Sequence, residues 1–274
     1  MTYAAILVHV QTDAPGVARL ACARALASRF DATLIGLAAE MVPPLTFDDG
    51  YVSADVTWYQ AMSKSVEEGQ VAAKALFDKQ AAGLKQPPIW RSGIEPPAPA
   101  LTRMARGADL LVASPPIKGG TSAYRDATAS ELAIGSGRPV VVAPDGATPL
   151  TGKKVVLAWK DTREARRAFS DALPFLIAAD AVLVLEVCEK DEARDAEDHV
   201  ADVARLLTSH GARPETRVAH GAHAGDVILA EAKAFGADLI VAGAYGHSRL
   251  GEFVFGGVTR ALLGQAEVYV LLSH

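Results

Sequence analysis

The chain has 274 residues, half of them hydrophobic and 22% charged, with a formal net charge of −5. That length accommodates two domains of ordinary size, each able to bury its own core. The acidic balance gives no electrostatic reason to expect nucleic acid or an anionic membrane as a partner. No apolar run reaches bilayer-spanning length. The opening Tyr3-Ala-Ala-Ile-Leu-Val-His-Val10 is too short for a signal-peptide core and lacks a basic lead, so it reads as a first strand. Cys22 and Cys188 fall in different halves and read as buried free thiols in a reducing cytoplasm, not as a disulfide framework.

Taken in chain order, short apolar runs bounded by turn residues predict strands at 4–10, 33–40, 89–94, 109–114 and 139–143, with helices near 15–29, 60–84, 98–106 and 124–136. A turn-rich linker, Pro144-Asp-Gly-Ala-Thr-Pro-Leu-Thr-Gly152, then separates a first domain at 1–146 from a second at 153–274. The second half repeats the order, with strands at 154–159, 181–187, 214–219, 238–243 and 268–272 and helices at 163–178, 193–210, 224–236 and 253–264. Strict alternation of strand and helix calls for parallel sheets covered on both faces, so the expected fold is α/β: two tandem, Rossmann-like domains, each with a five-stranded parallel sheet. The first half carries extra residues around Met41–Trp58, rich in Pro, Asp and aromatics, which suit a loop packed on its own domain, a lid or an interface element.

The repeat is visible in the residues themselves. Gly107-Ala-Asp-Leu-Leu-Val-Ala-Ser114 matches Gly236-Ala-Asp-Leu-Ile-Val-Ala-Gly243, and at the same offset Arg138-Pro-Val-Val-Val142 falls on Glu267-Val-Tyr-Val-Leu271. Only the second copy continues into Gly243-Ala-Tyr-Gly246, nine residues, and Gly256-Gly257-Val258-Thr259. Glycines at a strand end let backbone approach a ligand, and the free amides of a following helix attract phosphate. In the first copy these glycines become Ser114, Ile117, Ala127 and Thr128, and Pro115-Pro116 removes two backbone donors. One phosphate cradle is expected, in the second half.

These features resemble the universal stress proteins of the tandem type, with two such domains in one polypeptide. The resemblance rests on Val155-Val-Leu-Ala-Trp159, the Gly-Ala-Asp-Leu-Ile-Val-Ala-Gly strand, the Gly243-x2-Gly246-x9-Gly256 spacing in a strand–loop–helix context, and Val268-Tyr-Val-Leu-Leu272. It implies a stress-linked regulator whose second domain binds an adenine nucleotide such as ATP. On this reading Gly243, Gly246, Gly256 and Gly257 present amides to phosphate, with His247, Ser248, Val258 and Thr259 beside them, and Lys160, Asp161 and the backbone of Val187 lie near ribose or base. Two departures stand out: the pattern's Gly-Ser or Gly-Thr is replaced by Gly256-Gly257, and its strand-end Asp by Lys160 followed by Asp161. They leave a second reading open, an interaction protein of the same fold that binds no nucleotide.

No residue nominates itself as a catalyst. There is no Walker Gly-x4-Gly-Lys-(Ser/Thr) run, and no acid–base pair or triad can be assigned by spacing, which leaves slow hydrolysis of a bound nucleotide as the most that is expected. His220, His223 and His247 belong to strand-end loops and read more simply as exposed histidines than as metal ligands. Trp159 could stack on a base or pack between the repeats. The final apolar strands offer edges for pairing domains or subunits, so an intramolecular domain pair, a homodimer and an unidentified protein partner are all compatible with the sequence.

Overall fold

A computed structural model of the chain describes residues 2–42, 56–116, 122–144, 149–246 and 256–274. The first half runs β1 (Ala5–His9), α1 (Ala14–Phe30), β2 (Thr33–Ala39), α2 (Val56–Ala81), β3 (Ile89–Gly93), α3 (Pro97–Met104), β4 (Leu110–Ala113), α4 (Ala129–Gly135) and β5 (Val140–Val142). The second half repeats it as β6 (Lys154–Trp159), α5 (Arg163–Ala178), β7 (Ala181–Cys188), α6 (Ala193–Ser209), β8 (Pro214–His220), α7 (Ala224–Phe235), β9 (Leu239–Gly243), α8 (Gly257–Gln265) and β10 (Tyr269–Ser273).

Helix starts follow local chemistry. Thr162 caps α5 by accepting from the Ala165 amide, and Asp13 caps α1 by accepting from Gly16. A reciprocal capping box between Thr128 and Glu131 fixes the start of α4 at Ala129, later than the periodicity predicts. Residues 43–55 of the first-half insert lie outside the described residues; beside them, the Met41 amide donates to the Tyr124 carbonyl at 2.7 Å, and Val56–Trp58 open α2.

The continuous apolar character of the central strands follows from burial on both faces. Ile6 and Val8 share a core with Leu20 of α1 and Phe77 of α2, and Val155 and Leu157 share it with Phe175 of α5 and Val200 of α6. Leu7 and Val156 face the opposite core, with Leu101 of α3, Leu132 of α4, Ile228 of α7 and Leu262 of α8. Each half is a five-stranded parallel sheet, as expected, in the order β3-β2-β1-β4-β5 and its counterpart β8-β7-β6-β9-β10.

The two sheets do not stand apart. β5 and β10 pair antiparallel, Val142 opposite Val270 and Val140 opposite Leu272, so one ten-stranded sheet runs through the molecule. The last strand, which the sequence offers as an edge for a partner, is thus paired within the chain. Beside this seam Tyr3, Phe30 and Phe175 meet with ring centroids 4.9 to 5.7 Å apart, and the Tyr3 hydroxyl donates to the Asp171 carbonyl at 2.6 Å. Among the described residues no helix is long and apolar enough to cross a membrane.

The repeated Gly-Ala-Asp has a structural explanation. The Asp109 carboxylate accepts from the Ala4 and Ala5 amides, and Asp238 accepts from the amides of Thr151, Gly152 and Lys154 and from the Thr151 hydroxyl. Each aspartate ties the start of its repeat's first strand to the start of its fourth. Asp238→Ala leaves three amides without this acceptor and is expected to lower unfolding free energy by about 1.5–3 kcal/mol in urea titration. A loss below a few tenths of a kcal/mol would contradict the tie.

Candidate functional site

Each half-sheet changes winding direction between its first and fourth strands, and in open α/β sheets ligands enter the crevice at the carboxyl ends of strands at such a point. In the second half this crevice is a cavity of about 320 Å³. Its walls are the ends of β6 (Ala158, Trp159, then Lys160), β7 (Val187) and β9 (Ala242, Gly243), the first turn of α5 and the start of α8. Eight of the residues expected from sequence line it together: Lys160, Val187, Gly243, Gly246, Gly256, Gly257, Val258 and Thr259. Asp161 is not among the lining residues and pairs instead with Arg166 at 2.5 Å. His247 and Ser248 lie outside the described residues.

The four glycines are glycine for different reasons. A Cβ on Gly243 would fall 2.7 Å from the Ala165 amide nitrogen and 2.7 Å from the Glu164 carbonyl carbon, and one on Gly246 would fall 2.8 Å from Glu164 Oε2. Gly243 is required by the close approach of the β9 end to the α5 backbone, whether or not a ligand binds, whereas Gly246 meets only the end of the Glu164 side chain. At Gly257 a Cβ would meet nothing within 4 Å. Gly257 is the first residue of α8, and Gly256, its N-cap, provides no side-chain acceptor, so the leading amides of that helix adjoin the cavity. Thr259 is buried in the first turn of α8, and Lys160 reaches Glu192 at 3.5 Å.

Two lining residues escape a reading of spacing. Glu164 sits in the first turn of α5 with 5% exposure. Burial pushes its carboxyl up, but a hydrogen bond from its own amide and the neighbouring Arg163 guanidinium outweigh this and hold it below the usual carboxylate range. In sequence it reads as a helix-start acid favoured by the dipole, which conceals that it faces the glycine loop. Tyr245, between the glycines, takes the left-handed conformation at φ 61°. Its hydroxyl donates to Ser130 Oγ at 2.5 Å, so α4 of the first half braces the second half's loop. Trp159 lines the cavity while packing on the core shared by α1 and α5, and its Nε1 is buried without a partner among the described residues.

The matching crevice of the first half is filled. Arg19, buried on α1, spans the ends of β1 and β4, donating to the His9 carbonyl at 2.9 Å, to Ser114 Oγ at 2.7 Å and to Gln11 Oε1 at 2.8 Å. Ser114 occupies the place of Gly243, and a cavity of about 40 Å³ lies at the neighbouring ends of β1 and β2. Burial lowers the Arg19 pKa to about 10, opposed by Asp13 and Asp126. His220 and His223 do not converge on a ligand set: His220 Nδ1 lies 3.2 Å from the Cys188 carbonyl, and His223 precedes α7. Among the described residues no group of three or more His, Cys, Asp or Glu could hold a metal ion.

Beside Arg19, burial first and the Arg19 charge second lower the His9 pKa from 6.5 to about 3. The unfolded chain therefore binds a proton that the folded chain refuses, and stability falls as pH drops below about 6.5. This costs about 2 kcal/mol at pH 5. Urea titrations at pH 7 and pH 5 are expected to show that loss in the wild type and a loss smaller by this amount in His9→Gln. Equal losses in the two proteins would contradict a buried neutral His9.

Comparison with known proteins agrees with this architecture. Residues 152–274 match the model of the universal stress protein family. The whole chain has the fold of a universal stress protein from Archaeoglobus fulgidus DSM 4304, 14% identical, at a TM-score of 0.70 over 98% of this chain and 97% of that one. It is similarly close in fold to a functionally unknown protein from Pseudomonas aeruginosa PAO1, 16% identical, at a TM-score of 0.60 over 99% of this chain and 92% of that one. No curated protein matches the chain.

Proposed function

We propose that the chain is a stress-linked regulator of the tandem universal stress protein type, with domains at 1–146 and 153–274, that binds one adenine nucleotide in its second domain. The observation that carries this reading is the cavity of about 320 Å³ at the switch point of the second half, where Val187, Lys160 and the leading amides of α8 line one space. The base and ribose would lie along the ends of β6 and β7, with phosphate toward Gly256 and Gly257. A cytoplasmic setting fits the two free buried cysteines. The first domain, its crevice held by Arg19, would serve as a support and regulatory partner through Ser130 and Tyr245. The chemistry is binding, and regulation would follow from a nucleotide-dependent change of conformation or partner.

A second reading, an interaction scaffold that takes no nucleotide, is favoured by one observation: packing against α5 alone requires Gly243 to be glycine. The discriminating variant is therefore Gly257→Asp. A Cβ there meets nothing within 4 Å, and an acid at a helix start favours the helix while repelling phosphate. Calorimetric titration with AMP and ATP is expected to give binding to the wild type that is lost or weakened at least about tenfold in this variant, with thermal stability retained. No heat and no thermal shift with either nucleotide at millimolar concentration would overturn the nucleotide reading in favour of the scaffold.

A further inference from the structure

An acid on the wall of a phosphate site needs a reason. The Glu164 side chain is 7% exposed. Its Oε1 faces Arg163 at 2.9 Å, while Oε2 faces the glycine loop, where a Cβ on Gly246 would fall 2.8 Å away. The Arg163 side chain is 80% exposed, so water screens much of its countercharge. Lys160 is the one cation among the described lining residues, and Glu192 already faces it at 3.5 Å. His274 lies near enough to lower the Glu164 pKa, as the last and weakest of its influences. Among the described lining residues the wall is therefore acidic at Glu164, and Lys160, the one cation, is already faced by Glu192.

Resting on the nucleotide reading above, we propose that Glu164 selects the phosphate number of the ligand, admitting an adenine nucleotide with a single phosphate and disfavouring one with three. A chain of phosphates extending from the cavity along the loop adds negative charge beside Oε2, where the low-dielectric wall magnifies repulsion. A ligand ending at one phosphate keeps its charge at the start of α8, and a hydroxyl of its ribose can donate to Oε2.

The test is titration of the full chain with AMP and with ATP, each in EDTA so that no divalent cation bridges carboxylate and phosphate, in the wild type and in Glu164→Gln. The wild type is expected to bind AMP more tightly than ATP. Glu164→Gln keeps the size and an acceptor but loses the charge, and is expected to tighten ATP by about tenfold relative to AMP. A purely structural role for Glu164 would change both affinities together and leave their ratio alone. If Glu164→Gln does not fold, Arg163→Ala serves, because removing the countercharge is expected to weaken ATP relative to AMP. ATP bound by the wild type as tightly as AMP, or a ratio unmoved by the variant, overturns the proposal while leaving the nucleotide reading intact. Binding of neither nucleotide to the wild type overturns both.

Discussion

The antiparallel pairing of Val140–Val142 with Val270–Leu272 is the contact on which the rest of the molecule depends. Each half ends its sheet on an apolar strand that, unpaired, would present a row of bare backbone groups to any other chain. Pairing the two ends removes both edges at once and gives the molecule an approximate twofold arrangement. That arrangement brings α1 against α5, so that Tyr3, Phe30 and Phe175 share one aromatic cluster. It also sets α4 beside the second half's glycine loop, where Ser130 meets Tyr245. A residue of the first half thus braces the loop of the second half's candidate site.

The two crevices show how one fold can keep or abolish a pocket with few changes. Where β9 ends in Gly243, backbone lies against the first turn of α5 and a cavity stays open beside it. Where β4 runs on into Ser114, the hydroxyl accepts from a guanidinium that fills the corresponding space. Burying a cation is costly unless its donors are satisfied, and three acceptors from β1, the following loop and Ser114 satisfy Arg19. The first crevice is therefore closed by a hydrogen-bonded network as well as by the loss of glycines.

Much of this was legible from the sequence because its signals are local. The strand at 154–159 and the helix at 163–178 coincide with β6 and α5, since apolar runs and a Thr162 cap need no tertiary information. The glycine spacing names Gly243, Gly246, Gly256 and Gly257, and these line one cavity because the strand–loop–helix connection fixes where they converge. The seam between β5 and β10 could be anticipated only as one option, because an apolar strand does not name its partner. Glu164 and Arg19 were missed because a charge in a helix ordinarily reads as solvated. Only the crossing of α5 over β9, and of α1 over the ends of β1 and β4, turns one into a cavity wall and the other into a plug.

The most direct test of the central claim, one working crevice per chain, is a crystal structure of the full chain grown with saturating AMP. The account predicts a single molecule at the ends of β6, β7 and β9, its phosphate at the start of α8, with Arg19 still bonded to Ser114 in the other half. An empty second cavity, or a nucleotide in the first crevice with Arg19 displaced, would contradict it.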